Sequence, residues 1–139
     1  MKIKNKYFLT FFLGFSTLFY SQSSNLKKVK SIEYNYQKCL DDGVDMLDCS
    51  NKYYFFNDKL LNEVYQIVRL KLKPDEKKAL KTDQLKWLKN RDAYFKKAYI
   101  EAKNESEGLS NQDLQMVFID KKADYVKKRV VFLINKYKI

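Results

Sequence analysis

The chain contains no histidine, one proline, three glycines and two cysteines among its 139 residues. The lack of histidine removes the commonest general base in enzymes, and with it the Ser–His and Cys–His nucleophile systems. Two cysteines without histidine also fall short of a zinc site, which takes four ligands. Catalysis by carboxylates alone stays open, although no pair of acidic residues converges on a recognisable cleft. We therefore predict a protein that is not an enzyme and that binds neither a metal nor a cofactor.

A secretory leader is predicted at the N-terminus. Three lysines among the first six residues precede an apolar run at residues 7–20. This run suits the core of a signal peptide and is shorter than the roughly 20 apolar residues of a membrane span. Serines follow the run, and no cysteine that could carry a lipid anchor comes directly after it. We predict a signal peptide at residues 1–21 and a helical domain at residues 22–139, in a secreted or periplasmic protein. An uncleaved leader is the alternative, and insertion into a membrane is expected only through it.

The chain has an excess of positive charge. It carries 28 Lys and Arg against 17 Asp and Glu, for a formal charge of +11. Without the three leader lysines the balance is 25 to 17, or +8. Such a charge could serve binding to a polyanion, but the lysines are spread along the chain instead of forming one block. This distribution favours a solvated surface.

Apolar residues recur every three or four positions, and no alternation of period two is long enough for a strand. Gly43, the single proline and a polar loop before Ser110 interrupt the pattern. We predict an all-α fold, a small antiparallel bundle of about four helices. The predicted helices span residues 25–40, 44–72 and 74–103, and a fourth begins after Ser110, which forms a capping box with Asp113. The last helix carries a seam typical of bundle packing, at Met116, Ile119, Ala123, Val126, Val130, Leu133 and Tyr137.

The two cysteines lie ten positions apart, at the end of the first predicted helix and near the start of the second. Export places Cys39 and Cys49 in an oxidising compartment, where an even number of cysteines indicates a disulfide. A redox role is not expected, since the Cys-x-x-Cys spacing of reactive thiols is missing. We predict one structural disulfide that closes the first helical hairpin.

The loop inside this bridge contains four aspartates, Asp41, Asp42, Asp45 and Asp48. Their spacing is not that of a calcium-binding loop, which has acids at alternate positions, a glycine at six and a glutamate at twelve. In one interpretation, two of the aspartates cap the second helix and the other two are solvated. In the other, the four form a rigid acidic surface that binds a cationic partner.

Polar residues also occur on helix faces that should be apolar. Asp58, Asn62, Gln84 and Arg91 lie at helical spacing beside apolar positions of the second and third helices. Because buried polar groups need partners, we predict a network of these four side chains between the two helices. An exposed ligand or partner groove is the alternative. The last helix also carries basic residues beside aromatic ones, a composition that suits a solvated face or the binding of a polyanion. These basic residues are Lys121, Lys122, Lys127, Lys128, Arg129 and Lys136.

Three motifs resemble the N-terminal domain of the LprI-like lysozyme-inhibitor family, from about Cys39 to Arg129. The matching elements are Cys39…Met46…Cys49, Asp58-x-x-Leu61-Asn62-x-x-Tyr65 and Leu80-x-x-x-Gln84-x-x-Trp87-x-x-x-Arg91-Asp92. The third is the most specific, because it combines rare residue types at fixed helical offsets. The resemblance implies an exported, all-helical, disulfide-bonded domain that inhibits lysozyme. It also implies a polar network of family-signature residues that includes Asp92.

The chain departs from this family at two cysteines. Members commonly carry another cysteine a few residues after the Arg-Asp pair and one about two turns before a late arginine. Those places hold Phe95 and approximately Lys121 here, with Arg129 as the late arginine. The loss of both suggests that they pair with each other in relatives, which supports the Cys39–Cys49 pairing.

We therefore predict an exported binding protein that inhibits lysozyme by steric and electrostatic contact. Because lysozymes are typically cationic, a partner with a charge of +8 is repelled unless an acidic patch makes the contact. The aspartate loop is the expected contact surface. The alternative is a cell-envelope module that binds polyanions, such as anionic lipid, wall polymer or nucleic acid, through its Lys-rich helices.

Overall fold

The computed structural model describes residues 13–105 and 107–139, with side chains from residue 24 onward, and these residues form four α-helices and no strand. The helices are α1 (Leu13–Asp41), α2 (Met46–Lys71), α3 (Pro74–Glu105) and α4 (Asn111–Tyr137). The predicted all-α fold is confirmed, although α1 begins twelve residues earlier than expected. The signal peptide at residues 1–21 stays a prediction, and residues 1–12 of it lie outside the described part.

The helix boundaries follow from the scarce residues that interrupt the pattern. Gly43 has a φ of 67° just after α1, a backbone conformation that glycine adopts without a steric penalty. Pro74 is the first residue of α3, where its missing N–H costs no hydrogen bond. The predicted capping box at α4 is confirmed: the backbone N–H of Asp113 donates to Ser110 Oγ (3.1 Å), and the backbone N–H of Ser110 donates to Asp113 Oδ2 (3.1 Å).

Helices α2 and α4 form the most extensive helix–helix contact, while α3 packs mainly on α4. The predicted seam of α4 faces this core, and Ala123, Val126, Val130 and Leu133 in it are fully buried. Truncation of a leucine in such a position typically costs about 2–5 kcal/mol, so these contacts dominate the stability. The wider core consists of Val29, Leu60, Leu61, Val64, Val68, Leu80, Val126, Val130, Leu133, Ile134 and Ile139.

The predicted disulfide between Cys39 and Cys49 is present and joins the last turn of α1 to the first turn of α2, with 5.8 Å between the Cα atoms. A loop of this length is worth roughly 2–3 kcal/mol of stability, through the freedom that the bridge removes from the unfolded chain. The bridge also fits an oxidising compartment. Within the described residues, no helix combines the length and the apolar content needed to span a bilayer.

Candidate protein-binding site

The loop between α1 and α2 is fixed at both ends. Before it, the backbone N–H of Asp42 donates to the carbonyl of Lys38 (3.1 Å). After it, Asp45 adopts a left-handed conformation (φ 48°) and caps α2, because its Oδ1 accepts from the backbone N–H of Asp48 (3.1 Å). These bonds and the Cys39–Cys49 bridge hold the loop in one conformation.

The four aspartates of the loop differ in their surroundings. Asp45 is exposed but occupied as the cap of α2, and Asp48 is half-buried and pairs with Lys52 (2.6 Å). The hydrogen bond to Asp48 raises the pKa of Lys52. Asp41 accepts a hydrogen bond from Gln37 Nε2 (2.9 Å) and is otherwise exposed, and Asp42 is exposed. The capping interpretation therefore describes Asp45 and Asp48, whereas Asp41 and Asp42 offer their carboxylates to solvent.

The aspartate loop lies beside the N-terminus of α4, and an open cavity of ≈ 240 Å³ between them is lined by Asp45, Met46 and Asp113, among others. The C-terminus of α3 reaches the same end, where Glu101 and Glu105 pair with Lys121 of α4 (3.9 and 2.9 Å). We call residues 41–52, 101–105 and 107–113 the acidic end.

The acidic end reverses the charge of the chain locally. Its segments carry eight acidic and two basic side chains, and Lys121, which pairs with two of these acids, is a third cation at this end. The rest of residues 22–139 carries nine acidic and 22 basic side chains. Apolar side chains lie at its tip, where Val44 is 76% exposed and Met46 is 42% exposed. An exposed apolar centre with a charged rim is typical of protein–protein contact surfaces. Sequence reasoning did not single out Val44, and no periodic pattern marks it.

Two tyrosine–aspartate pairs fix the α1–α2 hairpin on α4 near this end. The Tyr36 hydroxyl donates to Asp120 Oδ2 (2.7 Å), and the Tyr53 hydroxyl donates to Asp124 Oδ1 (3.1 Å). The two tyrosine rings stack with centroids 4.3 Å apart. Burial raises the pKa of Tyr36 and that of Asp120. These pairs explain how the aspartate loop keeps its position relative to α4.

The structure differs from the polar network that the sequence predicted between α2 and α3. Gln84 Oε1 accepts from Nε and Nη2 of Arg129 (3.1 and 2.9 Å), a residue of α4, and not from Arg91. Asn62 donates to the backbone carbonyl of Asp58 within α2 (3.0 Å). In the described part of the chain, no hydrogen bond joins Asp58 or Asn62 to Gln84 or Arg91. The physical reason is that α3 packs on α4, so its polar row meets α4 first.

Arg129 is the centre of the contact that does form. It is 6% exposed, and its Nη2 also pairs with Asp83 Oδ2 (2.6 Å). Its guanidinium lies 5.6 Å from the ring centroid of Trp87 and 5.1 Å from that of Phe132. Sequence patterns did not place Arg129 in the interior, because arginines are rarely buried unless they are paired.

Arg91 continues this arrangement along α3. It pairs with Asp92 (2.8 Å), and its guanidinium lies over the rings of Trp87 (5.8 Å) and Phe95 (5.6 Å). The next cation is Lys122 of α4, whose ammonium lies 5.1 Å from the Phe95 centroid. Burial lowers the pKa of Lys122, and the Arg91 guanidinium lowers it further. Cations and aromatic rings therefore alternate along the contact between α3 and α4. The role of these residues is to stabilise the packing of the two helices.

A comparison with protein families matches residues 37–133 to the model described as lysozyme inhibitor LprI. The chain belongs to this family. No curated protein and no solved structure matches it significantly. The LprI match spans the whole acidic end and the α3–α4 contact, and it is a match to inhibitors rather than to enzymes. Within the described residues, no cluster of acidic and cysteine side chains could hold a metal ion.

In this LprI chain, the basic group of α4 is largely occupied. Lys127 pairs with Glu33 (2.9 Å) and Asp124 (3.0 Å), and Arg129 is buried against α3. Of the six basic residues that suggested polyanion binding, Lys128 and Lys136 are exposed and form no ion pair in the described structure. Lys122 is half-buried and lies over the rings of Tyr54 and Phe95. The free positive charge of α4 is therefore limited to Lys128 and Lys136, apart from the half-buried Lys122.

Proposed function

We propose that this LprI-family protein is exported to the periplasm or the medium, and that its acidic end binds a cationic lysozyme and covers the cleft of that enzyme. The observation that carries the proposal is the local charge reversal, with eight acidic and three basic side chains, Lys121 included, at one end of a chain that is otherwise basic. Opposite charges that face each other steer association and select the partner. The mechanism is steric and involves no chemical step.

The uneven distribution of charge over the molecule explains how a basic protein can bind a basic enzyme. Charges farther apart than about 8–10 Å are screened at physiological salt, so the nearest charges decide the interaction. At the acidic end these are the carboxylates of Asp41, Asp42 and Glu107, all of them exposed. The lysines of the far end lie several screening lengths away, since a helix of this size spans about 40 Å.

Rigidity supports the same proposal. The disulfide, the Asp45 cap and the Ser110–Asp113 capping box are already in place before any partner arrives. A preorganised surface loses little conformational entropy when it binds. Val44 and Met46 then supply an apolar centre to the contact, and the aspartates supply its rim.

The test is lysis of a peptidoglycan suspension by an animal-type lysozyme at moderate salt, with the oxidised protein in excess. The protein should slow lysis in a dose-dependent way. The variant D41N/D42N should need about three- to tenfold more protein for the same protection, because two exposed rim charges are each worth up to about 1 kcal/mol. These two aspartates neither cap a helix nor form an ion pair in the described structure, so the fold should be unaffected.

A matched control removes two acids from the other end. E63Q/D75N breaks two exposed ion pairs, Glu63 with Lys28 and Asp75 with Lys78, and should leave the inhibition unchanged. Absence of protection by the wild type would reject the inhibitor function. Equal losses in both double variants would reject the acidic end as its site.

A further inference from the structure

The side of α3 that faces away from α4 carries lysines that form no ion pair in the described part of the chain. Residues 81, 85, 89, 96 and 100 follow one another at spacings of four, four, seven and four, so they lie on one side of the helix. Lys81, Lys89 and Lys96 are exposed and form no ion pair in the described part of the chain. Two exposed aliphatic side chains share this side: Leu85 (57%) lies between Lys81 and Lys89, and Ile100 (61%) lies one turn beyond Lys96. We call these five residues the outer face of α3.

Within the described residues, none of the four acids of α3 from Asp83 to Glu105 pairs with a lysine of this face. Asp83 is paired with Arg129, Asp92 with Arg91, and Glu105 with Lys121. Glu101 is shared between Lys97 and Lys121. The lysines of the outer face therefore have no ion-pair partner in the described structure, whereas Lys121 and Lys127 of α4 are paired with acids.

The combination of free lysines and exposed aliphatic residues selects among anionic partners. Lysines close to an anionic bilayer are attracted to its phosphates, and apolar side chains beside them are stabilised by entering the boundary between headgroups and acyl chains. A wall polymer or a nucleic acid backbone offers the charge but no apolar phase for Leu85 and Ile100. We infer that the outer face of α3 binds peripherally to an anionic lipid surface, with the lysines at the phosphates and the aliphatic residues at the boundary.

This contact goes beyond the proposed inhibition and is independent of it. Helix α3 has 32 residues and spans about 48 Å, with the acidic end at its C-terminus. Lipid phosphates repel the acidic end while they attract the outer face. A protein bound in this way keeps Asp41, Asp42 and Val44 accessible to a partner in solution.

Flotation with lipid vesicles tests the inference. The exported protein should float with vesicles of equal parts phosphatidylglycerol and phosphatidylcholine at moderate salt, and not with phosphatidylcholine alone. The variant K81Q/K89Q/K96Q should bind the anionic vesicles at least about tenfold more weakly. Substitution L85A/I100A should weaken binding about threefold or more without any change of charge.

The control variant K27Q/K30Q/K59Q removes the same charge from exposed, unpaired lysines of α1 and α2 and should change the affinity less than about threefold. Circular dichroism of each variant verifies that the helices persist. Equal losses in the two triple variants, or no flotation of the wild type, would overturn the inference. If L85A/I100A binds the anionic vesicles as tightly as the wild type while K81Q/K89Q/K96Q binds them more weakly, the aliphatic residues do not enter the bilayer. That result would reject the lipid as the partner and assign the face to an anionic polymer.

Discussion

At the scale of single residues, the polar side chains inside the fold matter most, because each must be balanced by a partner. Asp120 is the clearest case. Burial raises the pKa of its carboxyl above the usual 3.8, while the hydrogen bond from Tyr36 acts in the opposite direction. Folding therefore disfavours the ionised form of the Asp120 carboxyl relative to its protonated form. Its role is to receive the Tyr36 hydroxyl and so to fix α1 on α4.

This preference for the protonated form predicts a pH dependence. A carboxyl with a raised pKa binds its proton more tightly in the folded state, so its contribution to stability is greatest below pH 3.8 and is lost as the pH rises through the raised value. D120N keeps an acceptor for Tyr36 but cannot ionise. The free energy of unfolding of D120N, relative to the wild type, should therefore increase between pH 3 and pH 7 in urea titrations.

Y36F provides the matched comparison for that experiment. Y36F removes a hydrogen bond that favours the ionised Asp120 carboxylate. The free energy of unfolding of Y36F should therefore fall more between pH 3 and pH 7 than that of the wild type. A difference between D120N and the wild type that stays constant with pH, or that shrinks as the pH rises, would contradict this account of Asp120.

At the scale of elements, the sequence predicted which segments are helices but not which helix each polar row would meet. Helical spacing correctly identified the seam of α4, because periodicity determines which side of a helix is buried. It does not determine the partner. Gln84 and Arg91 lie seven positions apart on one face of α3, which suggested a shared network, whereas the partner of Gln84 is Arg129, 45 positions later.

The family signature on α3 is explained by this contact. Trp87 stacks on Tyr125 of α4 with centroids 5.8 Å apart, and Arg129 bridges from α4 to Gln84 and Trp87. Phe95 contacts Lys122 at the level where the resemblance expects a second disulfide in relatives. In this chain a cation–ring contact occupies that position, which keeps α3 and α4 adjacent without a covalent bond.

The contact predicts that Arg129 is essential for the stability of the α3–α4 pair. R129M leaves Asp83 without its cation and Gln84 without its donors, and should lower the free energy of unfolding by about 2–4 kcal/mol. K128M, one position along α4, removes an exposed and unpaired charge and should change it by no more than about 0.5 kcal/mol. Urea unfolding followed by circular dichroism measures both. Similar values for the two variants would mean that the buried ion pair does not hold α3 in place.

At the scale of the whole molecule, the distribution of charge matters more than its sum. The total of +8 for residues 22–139 suggested a solvated basic surface with one acidic loop. The structure adds Asp113 and the glutamates at the end of α3 to that loop. These residues are about 60 positions away in the sequence, so only the packing of α4 beside the α1–α2 hairpin brings them to one end. The sequence could predict the aspartates but not the size of the acidic region.

The same distribution gives the molecule two distinct surfaces. The acidic end suits a cationic protein, and the outer face of α3 suits an anionic surface. Because the two differ in sign and lie on different parts of the domain, substitutions in one should leave the other unchanged. The vesicle affinity of D41N/D42N should therefore equal or slightly exceed that of the wild type.

The central claim is that the acidic end makes the contact with lysozyme. Isothermal titration of an animal-type lysozyme with the oxidised protein, at low and at moderate salt, tests it most directly. We expect one-to-one binding that weakens as salt increases, with a Kd about three- to tenfold higher for D41N/D42N and unchanged for E63Q/D75N. Binding that is the same in all three proteins, or no binding by the wild type at either salt concentration, would contradict the account.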